Sequence, residues 1–320
     1  MKHSDIQVDT LDIIDELFLD DEVVAEQILK IKEERNAVIL AHNYQRPEVQ
    51  DIADFIGDSL GLSREAARAD ADVIVFCGVH FMAETAFILS PDKIILLPDI
   101  HAGCPMADMA SVEDVARAAS KRPDARVVSY VNTSAAVKAV SDYCCTSANA
   151  AEVARAVDSD AVLFVPDRNL AAYVASKVDK EIIPWDGFCP AHNDITADHI
   201  RSALEEHPGA EVIAHPECVA EVLEIADHVR STSGMIEAVL ESDAEEFVIA
   251  TESGILYPLS NTVPHKRFYS PAKAPICWNM KLTTLPKVLW ALQTLESRVT
   301  VPEEIRVMAL GAVERMLALG

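Results

Sequence analysis

Short apolar segments alternate along this chain with segments of amphipathic helical period. After an amphipathic helix predicted over 22–35, an apolar run at 37–44 ends in polar residues. A second apolar run, a helical pattern and a third apolar run follow, and the same order then returns twice. The predicted first strands are 37–44, 126–133 and 211–218, the second strands end within 55–61, 142–149 and 228–234, and the third strands are 72–78, 161–167 and 246–252.

A fourth apolar run closes each repeat and leads into a cysteine. The segments 93–104, 180–189 and 266–277 each contain a lysine, a short apolar stretch, a proline, a few loop residues and a terminal cysteine. These residues, Cys104, Cys189 and Cys277, lie 85 and 88 residues apart. One such cysteine would mean little, but three at one period predict a shared site that is built from three equivalent loops.

Apolar strands that alternate with helices are typical of parallel, doubly wound α/β units. We therefore predict an α/β fold with three repeated Rossmann-like, three-layer domains around a pseudo-threefold axis and a central active site. The predicted domains are 1–107 (first repeat with an N-terminal helical extension), 108–192 (second repeat) and 193–320 (third repeat with C-terminal helices). Helices between and after the repeats are predicted over 111–120, 196–206 and 284–293, with Ser111 as an N-cap. Parallel sheets bind ligands beyond the carboxyl ends of their strands, so the polar strand ends should face one central cavity.

The composition and net charge indicate which kinds of binding partner are disfavoured. Half of the 320 residues are hydrophobic, a quarter are charged, and the formal net charge is −25. This charge disfavours nucleic acid and anionic membranes as partners, and an anionic substrate would need locally positive potential at its site. The first twenty residues lack the pattern of a signal peptide, and no apolar run approaches the roughly 18 residues that span a bilayer. We expect a cytoplasmic protein.

The cysteines suggest thiolate chemistry. Thiolates select zinc, copper(I) or iron–sulfur clusters, and the absence of a CxxC pair disfavours a structural zinc site. A [4Fe–4S] cluster on three cysteines would leave one iron open to substrate, whereas three buried core cysteines remain the alternative from spacing alone. We interpret the other four cysteines as packing residues: Cys77, Cys144, Cys145 and Cys218.

Polar residues at equivalent positions form a second set of candidates. The first strands end in His42 and Tyr44, Tyr130 and Asn132, and His215 and Glu217. Imidazole, phenol and carboxylate groups are the usual proton carriers, although any one of them taken alone is more simply a structural residue. Hydroxyl residues stand where helices are predicted to begin and could bind carboxylate or phosphate, although they are also ordinary N-caps: Ser59, Ser147, Thr232 and Ser233. His192, three residues after Cys189, is placed to reach the same cavity.

Several familiar motifs are absent from the chain. It has no GxGxxG or GxxxxGK[ST] pattern for a nucleotide, and no HExxH or GxSxG pattern for a hydrolase. Nucleotide binding and the common hydrolase mechanisms therefore have no support in the sequence.

The motifs resemble those of the quinolinate synthase family of de novo NAD biosynthesis, over about residues 37–293. The matching stretches are AHNYQ (41–45), GDSLGLS (57–63), FCGVHFMAETA (76–86), GCPMADM (103–109), YVNTSAAVKA (130–139), WDGFCPAH (185–192), AHPEC (214–218), STSGMI (231–236), ATESGI (250–255) and CWNMK (277–281). The chain departs from the family where Trp278 follows the last cysteine, at a position that is commonly proline. That departure removes no ligand.

The resemblance implies a triplicated α/β fold and a [4Fe–4S] cluster, with Cys104, Cys189 and Cys277 as its ligands. It implies condensation of iminoaspartate with dihydroxyacetone phosphate to quinolinate, with release of phosphate and water by a transferase-type, dehydrating enzyme. It also implies a possible functional link to an aspartate oxidase or aspartate dehydrogenase. The substrate contacts implied by the family are His42, Ser59, Tyr130, Asn132, Ser147, His215, Glu217 and Thr232, with Tyr44 as an acid–base candidate. Two alternatives stay open: an iron–sulfur hydro-lyase that acts on a small carboxylic acid, and a cluster-based redox sensor.

Overall fold

The computed structural model describes residues 20–319, which form three four-stranded parallel sheets. In each sheet the second strand of the repeat lies at one edge, followed by the first, third and fourth, so that the first and third strands are central. The strands of the first sheet are β1 Ala37–His42, β2 Phe55–Gly57, β3 Val73–Cys77 and β4 Ile94–Leu96; those of the second are β5 Ala125–Tyr130, β6 Tyr143–Cys145, β7 Ala161–Val165 and β8 Glu181–Pro184; those of the third are β9 Glu211–Ala214, β10 His228–Val229, β11 Glu246–Ala250 and β12 Arg267–Tyr269.

Helices connect the strands and cover the sheets. They are α1 Asp21–Glu34, α2 Pro47–Asp51, α3 Ser59–Arg68, α4 His80–Leu89, α5 Val112–Lys121, α6 Ala135–Ala139, α7 Ala150–Ala156, α8 Arg168–Ala175, α9 Pro190–Asn193, α10 Ala197–Glu206, α11 Ala220–Leu223, α12 Thr232–Glu241, α13 Leu256–Thr262, α14 Leu285–Thr294 and α15 Glu303–Ala318. Several begin at a side chain that accepts a backbone N–H, and the predicted N-cap is one of them, because Ser111 accepts from Asp114. The prediction of three repeated Rossmann-like units is confirmed.

The central strands are short and buried on both faces. β3 and β7 are buried at every residue, and their sequences VIVFC and AVLFV are continuous apolar runs. This is typical of parallel strands that are covered by helices on both sides. The equivalent register in the repeats, His42 opposite Gly57 and Tyr130 opposite Cys145, brings the polar residues of neighbouring strands to the same edge.

The last two helices pack outside the third sheet. α14 packs against α1 and β3 of the first unit, and α15 packs against α6 and β6 of the second unit and α4 of the first. The end of the chain therefore covers the first two sheets. The boundaries after residues 107 and 192 stay a prediction.

The predicted first strands were too long. They end at His42, Tyr130 and Ala214, so the residues that follow them lie in turns rather than in the sheet. Among the described residues, no helix is both long and apolar enough to cross a membrane. The interpretation of the first residues as lacking a signal peptide concerns residues 1–19, which lie outside the described part of the chain.

Candidate active site

One cavity, here called the inner cavity, is lined by residues from all three units. The space between its side chains amounts to about 690 Å³, including its opening to solvent. It lies at the carboxyl ends of the strands, where parallel α/β units bind ligands. Thirteen of the residues that the sequence singled out line it: His42, Tyr44, Ser59, Cys104, Tyr130, Asn132, Ser147, Cys189, His192, His215, Glu217, Thr232 and Cys277.

Two turns of the same design follow the first strands of the first and third units. The backbone N–H of Tyr44 donates to Nδ1 of His42 at 3.1 Å, and the N–H of Glu217 donates to Nδ1 of His215 at 3.3 Å. An Nδ1 that accepts a hydrogen bond leaves the proton of a neutral imidazole on Nε2. In His215 this Nε2 lies 3.2 Å from Oγ of Ser147. The turns therefore orient both imidazoles as donors through Nε2.

A chain of hydrogen bonds joins the three units across the cavity. The Tyr44 hydroxyl lies 2.6 Å from Oγ1 of Thr251 and 3.1 Å from Oγ1 of Thr232. Nε2 of His192 also bonds Thr251, at 2.7 Å, while its Nδ1 lies 2.7 Å from Oε2 of Glu217. The path runs from phenol through hydroxyl and imidazole to carboxylate, which are groups that can pass a proton.

Burial sets the charge state of these groups. It lowers the pKa of His42 to about 4 and that of His215 to about 3, so both imidazoles are neutral near neutral pH. It raises the pKa of the Tyr44 and Tyr130 phenols well above their ordinary value, so both keep their protons. Burial also acts to raise the pKa of Glu217, but His192, with the hydrogen bond from the Tyr130 phenol, outweighs it and holds that pKa below its usual range.

The three cysteines face the same space as free, partly buried thiols. Burial raises the pKa of each thiol, to about 12 for Cys104. Backbone N–H groups of the residues that follow act in the opposite direction and lower these pKa values: those of Met106 and Ala107 for Cys104, of His192 for Cys189, and of Asn279 and Met280 for Cys277. Sulfur acceptors that are surrounded by N–H donors and removed from water suit a metal-bound thiolate.

One subset of these groups is compact enough to hold a single ion. The ligand atoms of Cys189, His192 and Glu217 all lie within 4.8 Å of one another. Nδ1 of His192 lies between the other two, 3.1 Å from the sulfur and 2.7 Å from the carboxylate. A thiol, an imidazole and a carboxylate are all ligands that transition metals accept.

Comparison with known proteins identifies the family of this chain. The family model for the quinolinate synthetase A protein matches residues 26–318. The chain belongs to this family. A quinolinate synthase 1 of Methanosarcina acetivorans is 57% identical over 293 residues, which cover 92% of this chain and 96% of the relative. The quinolinate synthase of Desulforudis audaxviator is 56% identical over 302 residues (94% and 99%), and that of Dehalococcoides mccartyi is 52% identical over 296 residues (92% and 98%).

One predicted site residue, Ser233, does not line the inner cavity of this quinolinate synthetase A family member. Ser233 lines a second cavity, here called the outer cavity, which shares Asp58 and Ser147 with the inner one. The outer cavity carries four basic side chains: Arg64, Arg155, Lys177 and Arg230. The four cysteines that we interpreted as packing residues, Cys77, Cys144, Cys145 and Cys218, are buried in the core.

Sequence reasoning missed polar residues that follow the third strands. Glu252 lines the inner cavity, and Thr251 joins Tyr44 to His192. Asp167 is buried behind Cys189, and Lys281 bonds both Glu252 and the carbonyl of Tyr44. A signal was present, because the third strands end in polar residues at the same edge as the first strands. Apolar residues, including Val79, Phe81, Met106 and Met280, complete the wall of the cavity.

Proposed function

We propose that this chain is a transferase-type enzyme that condenses iminoaspartate with dihydroxyacetone phosphate to quinolinate, releasing phosphate and water. The observation that carries the proposal is the convergence of three cysteines, one from each unit, with proton-carrying and hydroxyl side chains on one cavity. The membership of the family, whose relatives are named quinolinate synthases, supports the reaction.

The proposal assigns a [4Fe–4S] cluster to Cys104, Cys189 and Cys277. The donor set fits, because three free thiols share one cavity and neighbouring backbone N–H groups favour the thiolate form of each. Buried thiols are poor acids, and binding to iron would compensate for the cost of ionising them. When bound, such a cluster supplies one iron that the three cysteines leave open, which acts as a Lewis acid toward a substrate oxygen.

Hydroxyl groups at helix starts would hold the carboxylates of iminoaspartate. Ser59 and Thr232 are the first residues of α3 and α12, and Ser147 lies three residues before α7. Free N–H groups at the first turn of a helix favour negative charge. We assign the remaining polar contacts with substrate to His42, Tyr130, Asn132, His192 and His215, and we keep Ser233 as a candidate on the outer side.

Tyr44 and Glu217 would move protons. The Tyr44 phenol is protonated and would donate its proton to a basic group of the substrate. Thr251 and His192 connect this phenol to the Glu217 carboxylate. His42 and His215 are neutral, so each can donate a hydrogen bond through Nε2. Each can also accept a proton when a substrate carbon or oxygen releases one. The apolar walls would keep water away from the reacting groups.

Three further assignments complete the proposal. The enzyme acts in the cytoplasm, on small molecules rather than on nucleic acid or membranes. An aspartate oxidase or aspartate dehydrogenase is the type of enzyme that would supply iminoaspartate. The three domains keep the boundaries predicted from the sequence.

The test is anaerobic quinolinate formation from iminoaspartate and dihydroxyacetone phosphate by the iron–sulfur-reconstituted protein. Cys277→Ser should abolish product, because the ligand is lost, whereas the matched control Cys218→Ser, at a buried cysteine outside the cavity, should retain it. Equal product from Cys277→Ser would remove this residue from the ligands. A wild type with an intact cluster and no product would favour the hydro-lyase, and a cluster without any catalytic activity would favour the sensor.

A further inference from the structure

Two fully buried carboxylates occupy the same position in two of the three repeats. Asp167 lies two residues after β7, and Glu252 lies two residues after β11. Both side chains are fully removed from solvent. Neither residue stood out in the sequence, and neither has a role in the proton path described above.

Each carboxyl group accepts a backbone N–H on each of its two oxygens, from the same two kinds of partner, and Glu252 is also paired with Lys281. One oxygen accepts the backbone N–H of a residue that opens the following helical turn, Leu170 for Asp167 and Gly254 for Glu252, both at 2.7 Å. The other oxygen accepts the backbone N–H of a cavity cysteine, Cys189 at 3.0 Å and Cys277 at 3.1 Å. A helix cap needs only one oxygen, so capping leaves the second bond unexplained.

The first unit lacks this device. The equivalent position, two residues after β3, is Val79, whose side chain is apolar. Its loop is instead tied by a backbone bond, because the N–H of His80 donates to the carbonyl of Ala102 at 2.7 Å. The three cysteine loops therefore differ in how they are held, although their strands repeat.

We propose that Asp167 and Glu252 are positioning residues that fix the peptide of Cys189 and of Cys277 and so aim these two sulfurs into the inner cavity. The cysteines are the ligands assigned under the proposed function, and the inference rests on that assignment for its metal-bound part only. Side chains that hold the ligands of a metal site orient those ligands and commonly change metal affinity by 10–100-fold when they are replaced.

The first measurement uses the cluster-free protein, so it does not depend on which metal binds. Asp167→Asn and Glu252→Gln keep the size of each side chain but replace one acceptor oxygen by an NH₂ donor. We expect the alkylation rate of Cys189 to rise in the first variant and that of Cys277 to rise in the second. Cys104 serves as the internal control in both proteins. Unchanged relative rates of the three thiols would overturn the inference.

The second measurement uses the anaerobically reconstituted protein. Iron loss to a chelator should be about tenfold faster in each variant than in wild type. The matched control is Asp58→Asn, a helix-capping carboxylate at the same cavity that contacts no cysteine. If Asp58→Asn accelerates iron loss equally, Asp167 and Glu252 have no specific effect on the cysteines and act only as helix caps.

If an amide variant does not fold, Asp167→Glu and Glu252→Asp keep the carboxyl group and move it by one methylene. They should show the same selective change in thiol alkylation, and its absence would contradict the inference. Selective alkylation changes in a protein whose wild type binds no cluster would retain the positioning role and reject the proposed cofactor. The two failures are therefore distinguishable.

Discussion

The inner and outer cavities adjoin each other but differ in the state of their ionisable groups. In the inner cavity burial keeps the imidazoles of His42 and His215, the phenols and the thiols neutral, and hydrogen bonds connect polar groups across three units. In the outer cavity Arg155 lies beside solvent and pairs with Glu152 at 3.2 Å, both side chains being more than half exposed. Residues near the starts of two helices, Asp58 and Ser147, line both cavities and separate them. The inner cavity is suited to catalysis, and the outer one is suited to attracting anions.

The largest effect should come from the carboxylate at the end of the inner hydrogen-bond path. Glu217→Gln removes the charge that the His192 imidazole contacts, and we expect kcat/KM for quinolinate formation to fall about 10²–10⁴-fold, the usual contribution of acid–base catalysis. Glu152→Gln in the outer cavity should change it less than about twofold, because exposed ion pairs contribute little. Full activity of Glu217→Gln would remove Glu217 from the proton path.

One tyrosine from each cavity allows a second comparison of the inner and outer cavities. Tyr44→Phe deletes the hydroxyl that bonds Thr232 and Thr251, so kcat should fall about 10²-fold with less change in KM. Tyr173→Phe, in the outer cavity, serves as the control and should retain wild-type kcat. Steady-state kinetics of the two reconstituted variants provide the comparison, and equal kcat values would show that the Tyr44 phenol takes no part in the rate-limiting step.

The neutral state of buried His42 should make the free energy of unfolding depend on pH. Burial lowers its pKa from 6.5 to about 4 and outweighs the nearby charges of Asp58, Lys281 and Glu217. As the pH falls from 6.5 toward 4, the unfolded chain takes up this proton before the folded protein does, so the free energy of unfolding decreases. The loss should reach about 1 kcal/mol at about pH 5.5.

Urea unfolding at neutral pH and at the lower pH measures this loss. His42→Gln should remove that part of the pH dependence, whatever its effect on stability at neutral pH. The control is His207→Gln, which replaces a histidine outside the inner cavity. An unchanged pH dependence in His42→Gln would show that folding does not lower the pKa of this imidazole.

The smallest effect should come from the cations of the outer cavity. In a chain of net charge −25, Lys177 and Arg230 provide positive potential beside the opening to anionic substrates. Replacing both by Gln should lower kcat/KM about threefold at low ionic strength and have little effect at high salt, because exposed charges are screened. The control replaces Lys121 and Arg201 by Gln, which changes the net charge equally, and a similar loss there would remove the outer cavity from the path of the substrate.

Much of the inner cavity could be predicted because its residues recur at equivalent strand ends. Cys104, Cys189 and Cys277 were found from their period, and His42 and His215 from repeated polar residues at the ends of apolar runs, although the turns that follow were predicted as strand. Asp167 and Glu252 escaped prediction because an acidic residue after a strand is ordinary in sequence. Their partners, the N–H groups of Cys189 and Cys277, lie 22 and 25 residues further along the chain.

The sequence by itself determined the alternation of strands and helices, the threefold repeat and the side-chain chemistry available at each strand end. These are local properties, because apolar periodicity and strand-end polarity depend on neighbouring residues. Tertiary structure alone decided which side chains meet. Thr232 and Ser233 are adjacent at the start of α12, but successive residues of a helix point about 100° apart, so the first faces the inner cavity and the second the outer one. Packing of the three units also set the burial that keeps His42 and His215 neutral, and no local pattern specifies that burial.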